Sequence, residues 1–146
     1  MPALTELSAG GIGERFGHGT CIMCGTNNPW SLDVSFEPDG DGGVKTLFTP
    51  DLRLQGYDGM LHGGVSAALL DAAMTHCLFH RNVRAVTAEL RVRYPQPVPM
   101  GRPLGLRARM TEARAPLYRM RAELTDGDCV LVWAQATFCE AGKISI

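Results

Sequence analysis

The chain has 146 residues, 45% of them hydrophobic and 20% charged, and a formal net charge of −1 at pH 7. That length suits one domain with a proper core rather than two. The balanced charge gives no electrostatic case for a nucleic acid or membrane partner, and no run approaches the roughly 20 apolar residues of a membrane span. Five sparse cysteines point to a reducing cytoplasm, and the first residues lack the basic and apolar regions of a signal peptide. Eleven of the 14 basic residues fall between Arg53 and Arg121, so a local patch for an anionic ligand remains open.

Residues 1–20 are glycine-rich with little periodicity and read as an N-terminal arm, which leaves 21–146 as the domain. Leu32, Val34 and Phe36 alternate with Asp33 and Ser35, the pattern of a half-buried strand. Residues 37–43 are a turn by composition, and Val44 to Thr49 return as a second strand. A loop follows, then a helix from about Gly64 to His80 with Val65, Ala68, Leu69, Ala72 and His76 at helical spacing. Beyond it Val86, Ala88, Leu90, Val92 and Tyr94 alternate with Thr87, Glu89, Arg91 and Arg93. Three more strands follow: one through Leu104–Met110, one through Tyr118–Leu124, and one through Val130–Phe138. Residues 125–128 form the hairpin turn between the last two. One apolar helix with two strands before it and four after predicts an α+β domain, its antiparallel sheet wrapped around the helix.

The chemistry concentrates in Leu54–Met74, LQGYDGMLHGGVSAALLDAAM. Helix-start N–H groups lack intrahelical partners and sit at the positive end of the dipole, so they suit a developing oxyanion. Asp71 lies nine residues after His62 among Ala67, Ala68, Leu70, Ala72 and Met74. A carboxylate in such surroundings carries a burial cost and calls for a role. An electrophile-polarising turn with an acid is the equipment of acyl transfer.

These residues resemble the hotdog-fold thioesterase superfamily, most of all its phenylacetate-pathway (PaaI-like) acyl-CoA thioesterases. The likeness spans roughly residues 20 to 140: CIMCG, NNPWSLDVSF, the HGG loop with its acid, and TAELRVRYPQPVPMG. It implies a sheet of about six strands around one central helix, and thioester hydrolysis to a carboxylic acid and free coenzyme A. It also implies roles. The Gly63 amide would polarise the thioester carbonyl, and Asp71 would be general base or nucleophile. Thr75 would orient water or thiol, Gln55 would position the thioester or water, and His62 would be an orienting partner. No cofactor is expected, since coenzyme A is part of the substrate. Gly64, Arg91, Arg93 and Arg102 are candidates for the CoA phosphates. The same fold also hosts hydratases or dehydratases and non-catalytic acyl-CoA sensors, the two competing readings.

Gly63 and Asp71 are eight residues apart, about 12 Å along a helix. One carboxylate cannot span that gap to a carbonyl it must approach within roughly 3 Å. The site is therefore expected to pair Gly63 of one subunit with Asp71 of another. A homodimer follows, and the resemblance adds assembly to a tetramer. Cys21-x-x-Cys24-Gly with His18 before it invites a zinc reading, but a structural site needs four ligands and no second pair is present. No metal is expected, and the motif reads as packing for the arm. Cys77, Cys129 and Cys139 read as core residues, and His76 and His80 as helix residues without chemistry. Leu61, Met74, Leu78 and Phe79 are either core or acyl-pocket lining.

Overall fold

The computed structural model describes residues 11–40 and 42–142. In chain order it contains α1 (Gly11–Arg15), β1 (Glu37–Asp39), β2 (Gly43–Phe48), α2 (Gly63–Phe79), β3 (Ala85–Arg93), β4 (Leu104–Arg114), β5 (Leu117–Asp126) and β6 (Cys129–Glu140). The expected α+β arrangement forms. All strand pairs are antiparallel and the order across the single sheet is β1-β2-β4-β5-β6-β3.

The sequence of α2 explains its 17-residue length, being rich in alanine and leucine and free of proline. His62 caps its start, Nδ1 accepting from the Gly64 N–H at 2.9 Å. Beyond its C-cap, Asn82 adopts a positive φ of 59° that turns the chain away. Leu69, Leu70, Met74 and Leu78 are fully buried against Leu104, Leu106, Met120, Leu124, Val132 and Phe138. Each such side chain stabilises the fold by about 1.5–3 kcal/mol. Coverage is uneven. Val65, Ala67, Ala68 and Asp71 are only half-buried and Gly64 is exposed, so one stripe of the N-terminal half of α2 is left open.

Two strand regions depart from expectation. Residues 32–36 alternate in burial as anticipated, Val34 being buried and Asp33 and Ser35 exposed, but they are not a strand. Their amides bond the cysteine turn instead, Leu32 N–H to Ile22 O and Val34 N–H to Met23 O. The first strand falls within the expected turn, at Glu37–Asp39, pairing with Gly43–Lys45. It tolerates Pro38 because it is an edge strand needing no donor on its open side.

β3 departs from its expected alternation. The register against β6 slips between Thr87 and Glu89, and this bulge interrupts the alternation the sequence suggested. Residues paired across antiparallel strands share a face. Thr87 pairs with buried Phe138 and Leu90 with buried Ala136, while Glu89 pairs with Thr137. Thr87, Leu90 and Val92 therefore face α2. Val86 turns to the outer face with Glu89, Arg91 and Arg93.

The first ten residues of the expected arm lie outside the described residues. From Gly11 onward the chain packs on the C-terminal half of α2, with Phe16 stacked on Phe79 at 4.5 Å between ring centroids. Cys77 and Cys139 are buried as expected, whereas Cys129 is exposed.

Candidate active site

The two ends of the Gly63–Asp71 span open into different cavities. At the start of α2, a cavity of about 750 Å³ is lined by Tyr57, Met60, Leu61, Gly63, Ser66 and Tyr94, among others. The Gly63 N–H, first of the helix, meets no acceptor among the described residues. The Gly63 carbonyl accepts from Tyr94 Oη at 2.8 Å. A Cβ on Gly63 would lie 3.4 Å from the Tyr94 ring, so glycine lets the aromatic close over the turn. Ser66 Oγ is buried without a partner.

Asp71 and Thr75 line a second cavity, of about 280 Å³, together with His18, Cys21, Cys24 and His76. Thr87 Oγ1 donates to Asp71 Oδ1 at 2.6 Å. Burial pushes the Asp71 carboxyl above its ordinary value, opposed by the Thr87 hydrogen bond and the charge of His18. A carboxyl so placed is a stronger base than one in water. Burial holds the His76 imidazole down at about 4 and, with Cys21 beside it, pushes the Cys24 thiol up to about 12.

Of the anticipated site residues, the structure brings His62 and Gly63 together at one cavity and Asp71 and Thr75 at the other. Thr75 Oγ1 donates to the Asp71 carbonyl at 2.9 Å and so makes a helix back-bond. Gln55 Oε1 accepts from Gly59 N–H at 3.1 Å, ordering the loop. The Gly64 N–H is taken by the His62 cap. Arg91 and Arg93 are exposed on β3, whereas Arg102 is paired with Asp126. Met74 and Leu78 are core, while Leu61 is core that also lines the Tyr94 cavity. Sequence reading missed Thr87 and Tyr94 as partners of the site. Thr87 gave no signal because its inward turn depends on the bulge, and Tyr94 was visible only as the end of a strand.

Among solved structures, the chain resembles the thioesterase superfamily protein RHA08564 at 30% identity and a TM-score of 0.73. That match covers 78% of this chain and 60% of the other. The likeness to the PaaI protein of the E. coli phenylacetic acid degradation operon is one of fold. There the identity is 12% and the TM-score 0.68, over 89% of this chain and 88% of that one. Among curated proteins, acyl-coenzyme A thioesterase THEM4 of Mus musculus is 38% identical over 55 residues. That match covers 38% of this chain and 24% of the relative's length. No helix among the described residues is long and apolar enough to cross a membrane. The model of the thioesterase superfamily matches residues 58–132, from the loop before α2 into β6 and more than half of the chain, and the chain belongs to that superfamily.

Proposed function

We propose that the protein hydrolyses an acyl-CoA thioester to a carboxylic acid and free coenzyme A. The observation that carries this reading is α2 itself, with a free amide on its first residue and a partly buried, hydrogen-bonded carboxylate two turns on. The Gly63 N–H polarises the thioester carbonyl and stabilises the oxyanion that forms on it. Asp71 supplies the carboxylate, either taking a proton from attacking water or adding to the carbonyl itself. The protonated thiol of coenzyme A then leaves. Single turnover in labelled water separates the two routes, because only the nucleophilic route puts solvent oxygen into Asp71.

Two groups about 12 Å apart on one continuous helix, opening into different cavities, support a site shared between two copies. The surface that would join them is β3. Its outer edge has no partner strand among the described residues, and Leu90 and Tyr94 are exposed on or beside it at 36% and 51%. The half-open stripe of α2 lies on the same side. A second copy along this edge would bring its own Asp71 toward Gly63, and such dimers could pair further into a tetramer. Arg91 and Arg93, exposed and without ion pairs among the described residues, are the basic groups free to meet the CoA phosphates.

The test is thiol release across short, long and aryl acyl-CoAs, run beside sedimentation of the same sample. Turnover by a dimer or tetramer is expected. Binding without thiol release, hydration of crotonyl-CoA instead, or full activity in a monomer would each overturn the reading.

A further inference from the structure

The cysteine turn excluded above on ligand count stands differently in three dimensions. His18, Cys21 and Cys24 place one donor atom each within 4.8 Å of one another. His18 Nδ1 lies 3.5 Å from Cys24 Sγ. Tetrahedral zinc with bonds of about 2.3 Å to sulfur and about 2.0–2.1 Å to nitrogen requires a nitrogen–sulfur edge of about 3.5 Å. The pair is hydrogen-bonded at a distance that a shared ion would also impose.

The backbone around the turn has the form of a metal-holding loop. Cys21 Sγ accepts from the Met23 N–H at 3.3 Å, the kind of second contact that stabilises a coordinated thiolate. Gly25 N–H bonds the Cys21 carbonyl at 2.8 Å. A Cβ on Gly25 would fall 2.5 Å from Cys21 N and 2.7 Å from Cys21 O, so only glycine allows the chain to close this tightly after the second cysteine.

The candidate fourth donor is His76 of α2, which stands outside the 4.8 Å cluster of the other three and would have to turn in to complete the set. His76 is 3% exposed, and both of its ring nitrogens are buried without a partner. An unpaired buried imidazole is costly unless something occupies it. It lines the same cavity as His18, Cys21 and Cys24. A Cβ on Gly13 would lie 3.8 Å from His76 Cε1 and 3.9 Å from Cys24 Sγ, so ring and thiol border one small space. The sequence hid this donor because it sits 52 positions after Cys24, on another element.

The geometry points to a structural site for a zinc-like divalent cation, held by His18, Cys21, Cys24 and His76. On binding, each thiol releases its proton to solvent and forms a metal–sulfur bond, with no change of oxidation state, and the two thiolates balance the ion's charge. The ion would pin the N-terminal segment to α2 one turn from Asp71, leaving the hydrolytic chemistry to the carboxylate.

The full chain, stripped with chelator and reduced under anaerobic conditions, is titrated with Co²⁺ alone. The expected result is one ion per chain, with the visible bands of tetrahedral cobalt and a thiolate charge-transfer band, displaced by Zn²⁺. Cys24→Ser should lower the charge-transfer intensity, leaving Cys21 as the one thiolate, and His76→Gln should weaken binding about tenfold or more. Circular dichroism checks that each variant is folded, and the wild-type titration does not depend on them. No uptake by the reduced wild-type chain overturns the site. Undiminished Co²⁺ binding in Cys24→Ser or in His76→Gln overturns it as well.

Discussion

At the start of α2 the candidate group is main chain, the Gly63 N–H fixed by the helix and roofed by Tyr94. Two turns on it is a side chain, the Asp71 carboxyl whose position and basicity depend on burial and on Thr87 from another element. The first kind of group is insensitive to substitution unless the glycine itself is lost. The second can be tuned by any neighbour that changes its solvation. A helix built this way carries a rigid half and an adjustable half.

The largest effect is expected at Asp71. Asp71→Asn is expected to lower kcat by about 10²–10⁴-fold with the fold intact, measured by thiol release and circular dichroism. It should also stabilise the protein at alkaline pH. A carboxyl with a raised folded-state pKa favours the folded state at low pH, and that contribution is lost as pH rises through the folded pKa. The melting advantage of Asp71→Asn should therefore vanish once the pH falls below the ordinary carboxylate value of 3.8.

At the other half, Gly63→Pro removes the N–H from a helix position where proline is otherwise tolerated. A loss of about 10²–10³-fold in kcat is expected, and an active variant would end the oxyanion role. Co-expressing Gly63→Pro with Asp71→Asn asks whether the two halves belong to one chain. A shared site leaves each mixed dimer one intact pair, restoring about a quarter of wild-type activity, whereas a site within one chain restores nothing.

Smaller effects sharpen the contrast. Thr87→Val removes the hydrogen bond that holds the Asp71 pKa down, so the acidic limb of the pH–rate profile should move to higher pH, with rescue by Thr87→Ser. Tyr94→Phe removes one hydrogen bond to the Gly63 carbonyl, and a stability loss of about 0.5–1.5 kcal/mol by denaturant titration is expected, with the pH profile unmoved.

The legible parts of the fold were those governed by a single period. The bounds of α2 were within a residue at each end, and the last three strands followed their alternation, because burial on one face dictates both. Residues 32–36 show the limit: their burial alternates as a strand's would, yet their hydrogen bonds go to the cysteine turn, which periodicity does not report. Gly63 and Asp71 were visible because glycine at a helix start and an acid among alanines each break a local rule. Thr87, Tyr94 and His76 break none, and gain their meaning only from what the sheet brings beside them.

The bulge in β3 acts as a phase change within a single strand. Before Ala88 the odd-numbered positions look inward, and after it the even-numbered ones do. Paired without a bulge, the same residues would put Thr87 and Leu90 on opposite faces, and either the acid would lose its hydroxyl partner or Leu90 and Val92 would trade places with Arg91 and Arg93. Ala88 is the extra residue, since Thr87 pairs with Phe138 and Glu89 with the adjacent Thr137, so removing it would close the bulge and leave every flanking side chain on its own face. A deletion at Ala88 should therefore be far better tolerated than a deletion elsewhere in β3, where side chains on one side of the cut would change face.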